Sequence, residues 1–351
     1  MTQQPAMTVI VVNWNARAYL PACLDSLLGQ AYPDYEVALV DNASTDGSVA
    51  MVRRRYPQVR VLEQEENKGF AAGNNAAIRE ARGEIIVLAN PDIVAEPDML
   101  AQLAAVMEKD ATVGIAGCKV FYPDGRLQHA GGVLPMPQAI ASYRGYLEAD
   151  QGQYDGVADV DYVIGAALAI RRGVAEEVGL LDEGFFMYYE EADWCARARR
   201  QGFRVVYVPQ AQLTHVESAT TPKEDSQYLR RFHRSRWRYL LKHAPLDTLL
   251  SETMPAEMAW LGRINRLEKA AVADAYLRTV QRLVDIMAAR TGDGNTAFSY
   301  EGQVALFAGL RRLRDMAWRV GGMTEAPELE RWQVREPAFT SNVPLLGGAI
   351  S

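Results

Sequence analysis

The chain has 351 residues, 49% hydrophobic and 23% charged, with 37 Lys plus Arg against 44 Asp plus Glu and a formal net charge of −7. This balance excludes collagen-like, disulfide-scaffold and wholly disordered chains. The negative charge also argues against nucleic-acid partners, which need a basic surface to neutralise phosphates.

In chain order, residues 8–12, 37–40, 59–62, 84–88 and 113–120 are short β-branched or aliphatic runs that predict strands. Residues 19–28, 48–56, 71–81 and 99–109 between them show helical spacing of apolar residues. The alternation predicts an α/β fold with a mostly parallel central sheet, helices on both faces and ligands beyond the carboxyl ends of the strands. Residues 121–161, with Pro123-Asp124-Gly125 and Gly131-Gly132-Val133-Leu134-Pro135, read as a loop-rich excursion with room for a hairpin. A strand follows at 162–170, then a helix over 190–201, a strand over 204–208 and a basic helix over about 223–243.

After Pro245 the pattern turns helical. Met258, Leu261, Ile264, Leu267, Ala271, Ala275, Val280, Leu283 and Met287 form one apolar stripe, and Leu306, Leu310, Leu313, Ala317 and Val320 form another, ending at Gly321-Gly322 and a Pro-containing tail. The expected division is a unit over 1–245 and a C-terminal helical appendage over 246–351. Such stripes must be buried. Packing within the chain or in a homo-oligomer is favoured over membrane docking through Arg311, Arg312, Arg314 and Arg319, because Asp315 and the acids of the first stripe dilute the charge.

Apolar runs such as 85–89 and 166–170 fall far short of the roughly 20 residues that span a bilayer. The N-terminus lacks the basic start and apolar run of a signal peptide. A cytoplasmic location follows, with peripheral contact at the inner face of the cell membrane as the alternative. Cys23, Cys118 and Cys195 read as reduced packing residues.

Neither G-x-G-x-x-G nor G-x-x-x-x-G-K-[ST] is present, so phosphates need another cradle. Four successive predicted strands instead end in polar groups: Asn13-Trp14-Asn15, Asp41-Asn42-Ala43-Ser44-Thr45-Asp46-Gly47-Ser48, Asn67-Lys68-Gly69-Phe70 and Asn90-Pro91-Asp92. Singly these are compatible with helix caps and turns. Together they place Asp41 where it can meet a nucleobase or ribose, and Lys68 and the amides opening the next helix where they can face a diphosphate.

The ordered set Val-Val-Asn-Trp-Asn, Val-Asp-Asn-Ala-Ser-Thr-Asp-Gly-Ser, Asn-Lys-Gly-Phe-Ala-Ala-Gly-Asn-Asn and Leu-Ala-Asn-Pro-Asp resembles the family 2 glycosyltransferases of GT-A fold, and most of all their rhamnosyltransferase-like branch. The run from Phe185 to Arg197, then Gly202 and His215, continues the match, which covers about 7–243. The resemblance implies an inverting hexosyltransferase of cell-wall or polysaccharide biosynthesis. It would move a sugar such as rhamnose from a dTDP or UDP donor to a hydroxyl of a cell-surface glycan or glycolipid precursor. It implies a divalent metal, Mn²⁺ or Mg²⁺, on Asp92 and His215, and donor contacts from Asn13, Asn15, Asp41, Asn67, Lys68, Gly69, Asn74 and Asn90. The usual metal motif has a carboxylate where this chain has Asn90, so the ion is expected to be weakly held and to arrive largely with the donor.

The resemblance assigns the base to Glu191, beside Glu190, where the family carries a Glu-Asp pair. Glu191 is expected to stay ionised near a helix N-terminus. Asp193 belongs to the same acidic cluster, although its i, i+4 spacing to Arg197 also fits a structural ion pair. The basic helix could touch a diphosphate or anionic lipid, or remain a solvated face. Its Gln227-Tyr228-Leu229-Arg230-Arg231 lacks the Trp of the Q-x-x-R-W motif of processive synthases. Two alternatives are a nucleotidyltransferase, which would want a Gly-rich basic loop after the first strand, and a degenerate nucleotide-sugar-binding assembly protein acting through its helical half.

Overall fold

A computed structural model describes residues 5–216, 226–292 and 295–320. Among them are twelve strands: β1 (Met7–Asn13), β2 (Tyr35–Asp41), β3 (Arg60–Glu63), β4 (Ile85–Ala89), β5 (Ile93–Ala95), β6 (Val113–Phe121), β7 (Leu127–His129), β8 (Gly132–Val133), β9 (Ser142–Tyr143), β10 (Ala158–Asp159), β11 (Ala167–Arg171) and β12 (Arg204–His215). The helices of the sheet region are α1 (Leu20–Leu28), α2 (Ser48–Arg55), α3 (Gly69–Ile78), α4 (Met99–Lys109), α5 (Arg172–Val178), α6 (Glu190–Arg200) and α7 (Ser226–His243).

All seven residues of β1 are buried, which is what an aliphatic run covered on both faces requires. The main sheet runs β10-β12-β6-β11-β4-β1-β2-β3, with β5 against β12 and β7 against β6. β1 is parallel to β2 and β4, β2 to β3, and β12 to β6. β11 runs antiparallel between β4 and β6. That reversal carries the residues before β11 to the carboxyl end of β4, where the Asn90 N–H donates to Ala166 O at 2.9 Å.

β12 is longer than expected. It continues past Pro209 to His215 because an irregularity between Val208 and Gln212 takes up the proline. The extension pairs with β5 and sets His215 opposite Ile93, next to Asp92 in sequence. The excursion contains the expected hairpin, β8 against β9, and adds β7 on the edge of β6.

The basic helix α7 is not a free basic face. Arg236, Arg238 and Lys242 are buried and neutralised. Arg236 makes two 2.8 Å bonds to Glu257, and Arg238 and Lys242 converge on Asp182. Its predicted start before Ser226 lies outside the described residues.

The chain continues through α8 (Leu246–Thr248), a π turn (Leu249–Thr253), α9 (Met254–Leu261), α10 (Arg266–Gln281), α11 (Leu283–Gly292) and α12 (Tyr300–Val320). Leu261, Ala275, Leu306, Leu310, Leu313 and Ala317 are buried within the chain, in a core continuous with that of the sheet, and Ala271 is buried as well. Intramolecular packing therefore consumes most of both stripes. Each buried leucine contributes about 1.5–3 kcal/mol relative to exposure. Leu267 departs from its stripe and faces solvent. The Val320 side chain, Gly321-Gly322 and the tail lie outside the described residues.

Arg290 locks α11 onto α7, donating from Nη1 to the carbonyls of Leu241, Lys242 and Ala244. Cys23, Cys118 and Cys195 are buried and free. No described helix is long and apolar enough to cross a membrane.

Candidate active site

A cavity of about 250 Å³ opens at the carboxyl edge of the sheet. Its polar wall carries Asn67, Gly69, Asn90, Asp92, Glu190, Glu191 and His215, so seven of the residues singled out in the sequence meet there although they span 149 positions from Asn67 to His215. The rest of the lining is rich in aromatic rings, with Tyr143, Tyr162, Tyr188, Tyr189, Tyr228 and Phe232.

On one side His215 Nε2 lies 3.1 Å from Asp92 Oδ1 and 3.3 Å from Asn90 Nδ2, and His215 Nδ1 lies 2.7 Å from Gln128 Oε1. A carboxylate oxygen, an imidazole nitrogen and an amide form a donor set that suits Mn²⁺ and, less well, Mg²⁺. Among the described residues, no group of three His, Cys, Asp or Glu side chains gathers to hold an ion. Further ligands would have to come from a substrate or water.

On the other side stand Glu190 and Glu191 at the start of α6. Each leaves a buried Oε2 without a partner. Burial pushes the Glu191 carboxyl up to about 7, and backbone amides, including that of Gly165, only partly offset it. Burial and the neighbouring Glu191 push Glu190 well above the usual carboxylate range. The expectation that a helix N-terminus keeps Glu191 fully ionised is therefore corrected: desolvation outweighs the helix dipole. Two non-glycine residues with left-handed backbone, Tyr188 at φ 71° and Tyr189 at φ 69°, immediately precede the pair. Such conformations cost about 1–3 kcal/mol each and persist only when the surroundings fix them. Here the Tyr189 hydroxyl donates to Ala139 O at 2.8 Å and accepts from Ala141 N at 3.1 Å.

Asp193 is not part of the cavity wall. It is fully buried toward α7, with Arg197 Nε at 2.9 Å, Lys242 Nζ at 2.6 Å and His243 Nε2 at 2.8 Å. Burial would raise its carboxyl, but Arg197 and Lys242 hold it well below the usual range. The structural reading of Asp193 is the one its surroundings support.

The nucleotide-facing set also divides. Asn13 is buried behind the wall, its Nδ2 donating to Asp41 Oδ1 and the hydroxyls of Ser44 and Ser48. Asp41 accepts from Ser44 N through its other oxygen. Asn15 Oδ1 accepts from Thr45 N. These three tie the loops after β1 and β2 together. Asn74 turns its Nδ2 back to Phe70 O within α3, and Lys68 is exposed, 3.6 Å from Glu66. The first amides of α3 are already spent, Gly69 N on Asn67 Oδ1 and Phe70 N on Phe186 O. Gly69 has φ +91°, and a Cβ there would lie 2.2 Å from Phe186 O. Only glycine fits where the two loops cross.

Residues that the sequence reading did not assign complete the wall. Asn42 donates to Gly69 O at 3.1 Å and leaves a buried Oδ1 unpartnered. Its place between Asp41 and Ser44 was the available signal. Gln128 and Tyr143 come from the excursion, where no local pattern marks them. The basic helix contributes Tyr228 and Phe232 to the wall, and its Arg231 lies over the Phe186 ring at 5.1 Å.

The family model described as "Glycosyltransferase like family 2" matches residues 5–239. An uncharacterized protein, y4gI, of Sinorhizobium fredii is 32% identical over 67% of this chain and 27% of its own length. The O-antigen biosynthesis protein RfbC of Myxococcus xanthus is 31% identical over 62% of this chain and 18% of its own length. The chain thus spans less than a third of either relative. An N-acetylglucosaminyl-diphospho-decaprenol L-rhamnosyltransferase of Mycobacterium tuberculosis is 27% identical over 67% of this chain and 83% of its own length. The mannosyltransferase PcManGT of Pyrobaculum calidifontis, solved with GDP-Man and Mn²⁺, aligns with a TM-score of 0.51 at 22% identity, covering 91% of this chain and 86% of that one.

Proposed function

Because the chain belongs to glycosyltransferase like family 2 and has the GT-A fold, we propose that its cavity transfers a sugar with inversion from a dTDP or UDP donor. The acceptor is a hydroxyl of a cell-surface glycan or glycolipid precursor, and rhamnose is the favoured sugar because one relative bears that activity in its name. The observation that carries the reading is the pair of glutamates, each with a buried and unpartnered Oε2, sharing one cavity with Asp92 and His215.

In this reading Glu191 accepts the acceptor hydroxyl proton while the oxygen attacks the anomeric carbon from the face opposite the diphosphate. Its carboxyl, raised to about 7, is matched to that task. Glu190 keeps its own proton beside it, which avoids two like charges in one dry pocket. The bond from the anomeric carbon to the diphosphate oxygen breaks, and its electron pair leaves with the diphosphate.

Asp92 and His215 would hold a divalent cation, with Asn90 as a neutral neighbour. When bound, the ion offsets the charge growing on the leaving diphosphate. With one carboxylate in the site, cation and donor bind together rather than in turn. Asn42, Asn67 and Gly69 line the donor side, and the loops held by Asn13, Asn15 and Asp41 shape it. The aromatic lining offers flat apolar faces to the acceptor. The catalytic unit ends near residue 245, and the helices beyond support it through Arg236, Glu257 and Arg290.

The test is calorimetric titration of UDP and dTDP with and without Mn²⁺, followed by hydrolysis of a panel of nucleotide sugars. Metal-dependent binding of one nucleotide and slow hydrolysis of a donor bearing it are expected. Binding of neither nucleotide would overturn the reading, and binding unaffected by chelator would remove the cation from it.

A further inference from the structure

Gln128 reaches the cavity from β7 and is 1% exposed. Backbone pairing of β7 with β6 flanks it on both sides, Val120 opposite His129 and Phe121 opposite Leu127. Its Oε1 lies 2.7 Å from His215 Nδ1, across the ring from the nitrogen that meets Asp92. Its Nε2 is buried with no partner, an unmet donor that costs stability. An apolar side chain of that shape would avoid the cost, so the useful end of Gln128 is its oxygen.

A neutral imidazole places one proton on one of two nitrogens. A carbonyl oxygen only accepts, so with Oε1 facing Nδ1 the proton sits on Nδ1. Nε2 is then left with its lone pair toward Asp92, and the Asn90 amide at 3.3 Å is a donor compatible with that lone pair. We infer that Gln128 is a positioning residue, holding His215 in the tautomer and ring orientation that present Nε2 to a divalent cation shared with Asp92. Outer-shell partners of this kind commonly fix the tautomer of a ligating histidine. Because Asn90 and Gln128 are both uncharged, Asp92 alone brings formal charge, and orientation carries a larger share of the affinity. The inference rests on the proposal that Asp92 and His215 hold the cation.

The experiment uses the full chain. Two-bond ¹H–¹⁵N imidazole correlations report the tautomer of each of its four histidines, with His215→Ala assigning the signal. Mn²⁺ affinity in the presence of UDP is measured in parallel by electron paramagnetic resonance. The parent should show the Nδ1–H tautomer at His215. Gln128→Met keeps the shape but removes the acceptor, so it should shift the tautomer toward Nε2–H and weaken Mn²⁺ binding about 10–100-fold. Gln128→Glu keeps an acceptor oxygen and should retain both. An unchanged tautomer in Gln128→Met, or unchanged affinity there while His215→Ala loses it, overturns the inference. If Gln128→Met does not fold, loss of the tautomer in a folded Gln128→Glu overturns it instead, and its retention supports it. If His215→Ala itself leaves Mn²⁺ affinity intact, the cation reading falls and this inference with it, a result distinct from failure of Gln128 alone.

Discussion

The two sides of α6 treat the same chemistry in opposite ways. On the cavity side Glu190 and Glu191 are buried without cationic partners, and their carboxyls are pushed up. Three residues after Glu190, on the α7 side, Asp193 is equally buried but ringed by Arg197, Lys242 and His243, and its carboxyl is held far down. Burial is common to both sides, so the partners decide the outcome. An acid that is buried and then neutralised by Arg197 and Lys242 serves the fold, whereas one left costly and open toward a cavity is available for proton transfer.

The sharpest way to break this comparison is Glu191→Gln. It keeps size and removes the base, so turnover should fall about 10²–10⁴-fold with donor affinity little changed. Steady-state kinetics showing near-normal turnover would move the base elsewhere. The counterpart on the far side is Asp193→Ala, which strands buried cations. It should cost about 3–5 kcal/mol in urea unfolding, with turnover per folded molecule close to that of the parent. A loss of turnover without a loss of stability would erase the distinction between the two sides.

Asp92→Ala sharpens the cavity side further. Donor binding with Mn²⁺ should weaken about 10–100-fold, as when a metal's surroundings are damaged, while metal-free binding changes little. Calorimetry with and without chelator separates the two.

The smallest effects lie in pH. Glu191 must be ionised to act, so turnover should decline about tenfold per unit below about 7, and Glu190→Gln should leave that midpoint nearly unchanged, since burial is what raises Glu191 and Glu190 keeps its own proton. Stability carries opposite signs on the two sides. The raised carboxyls favour the folded chain in acid and lose that contribution as pH climbs from about 4.5 toward their folded values. The depressed Asp193 contributes above its ordinary 3.8 and loses this as pH falls toward its folded value. Glu191→Gln should therefore be more stable than the parent at pH 8 and equal to it near pH 4, as thermal melts would show.

The strand ends were legible because polar residues break off β-branched runs at one edge, and the order of those breaks is itself a pattern. Glu191 opens a helix and is assigned only through the family resemblance, whereas Asp92 could be read that way. The path of β12 beyond Pro209 could not, since a proline ordinarily stops a strand and only the irregularity seen here lets it continue to His215. Gln128 sits in a stretch without periodicity. The basic helix misled because its partners, Asp182, Glu257 and Asp274, are distant in sequence and composition does not reveal them. Asn74 and Asn75 show the limit of helical phase: one residue apart, Asn74 turns inward, while Asn75 bonds Leu181 O and Glu183 across to the next loop.

The crossing at Gly69 has a consequence for anyone who would re-engineer this protein. With the Phe186 carbonyl seated where a Cβ would stand, and Phe70 N bonded to that same oxygen, residues 67–70 and 184–191 are inherited as one part. A graft that imports a relative's 67–70 loop to change the nucleotide should bring that relative's 184–191 segment with it. Chimeras cut between the two should lose soluble yield before they reveal anything about selectivity.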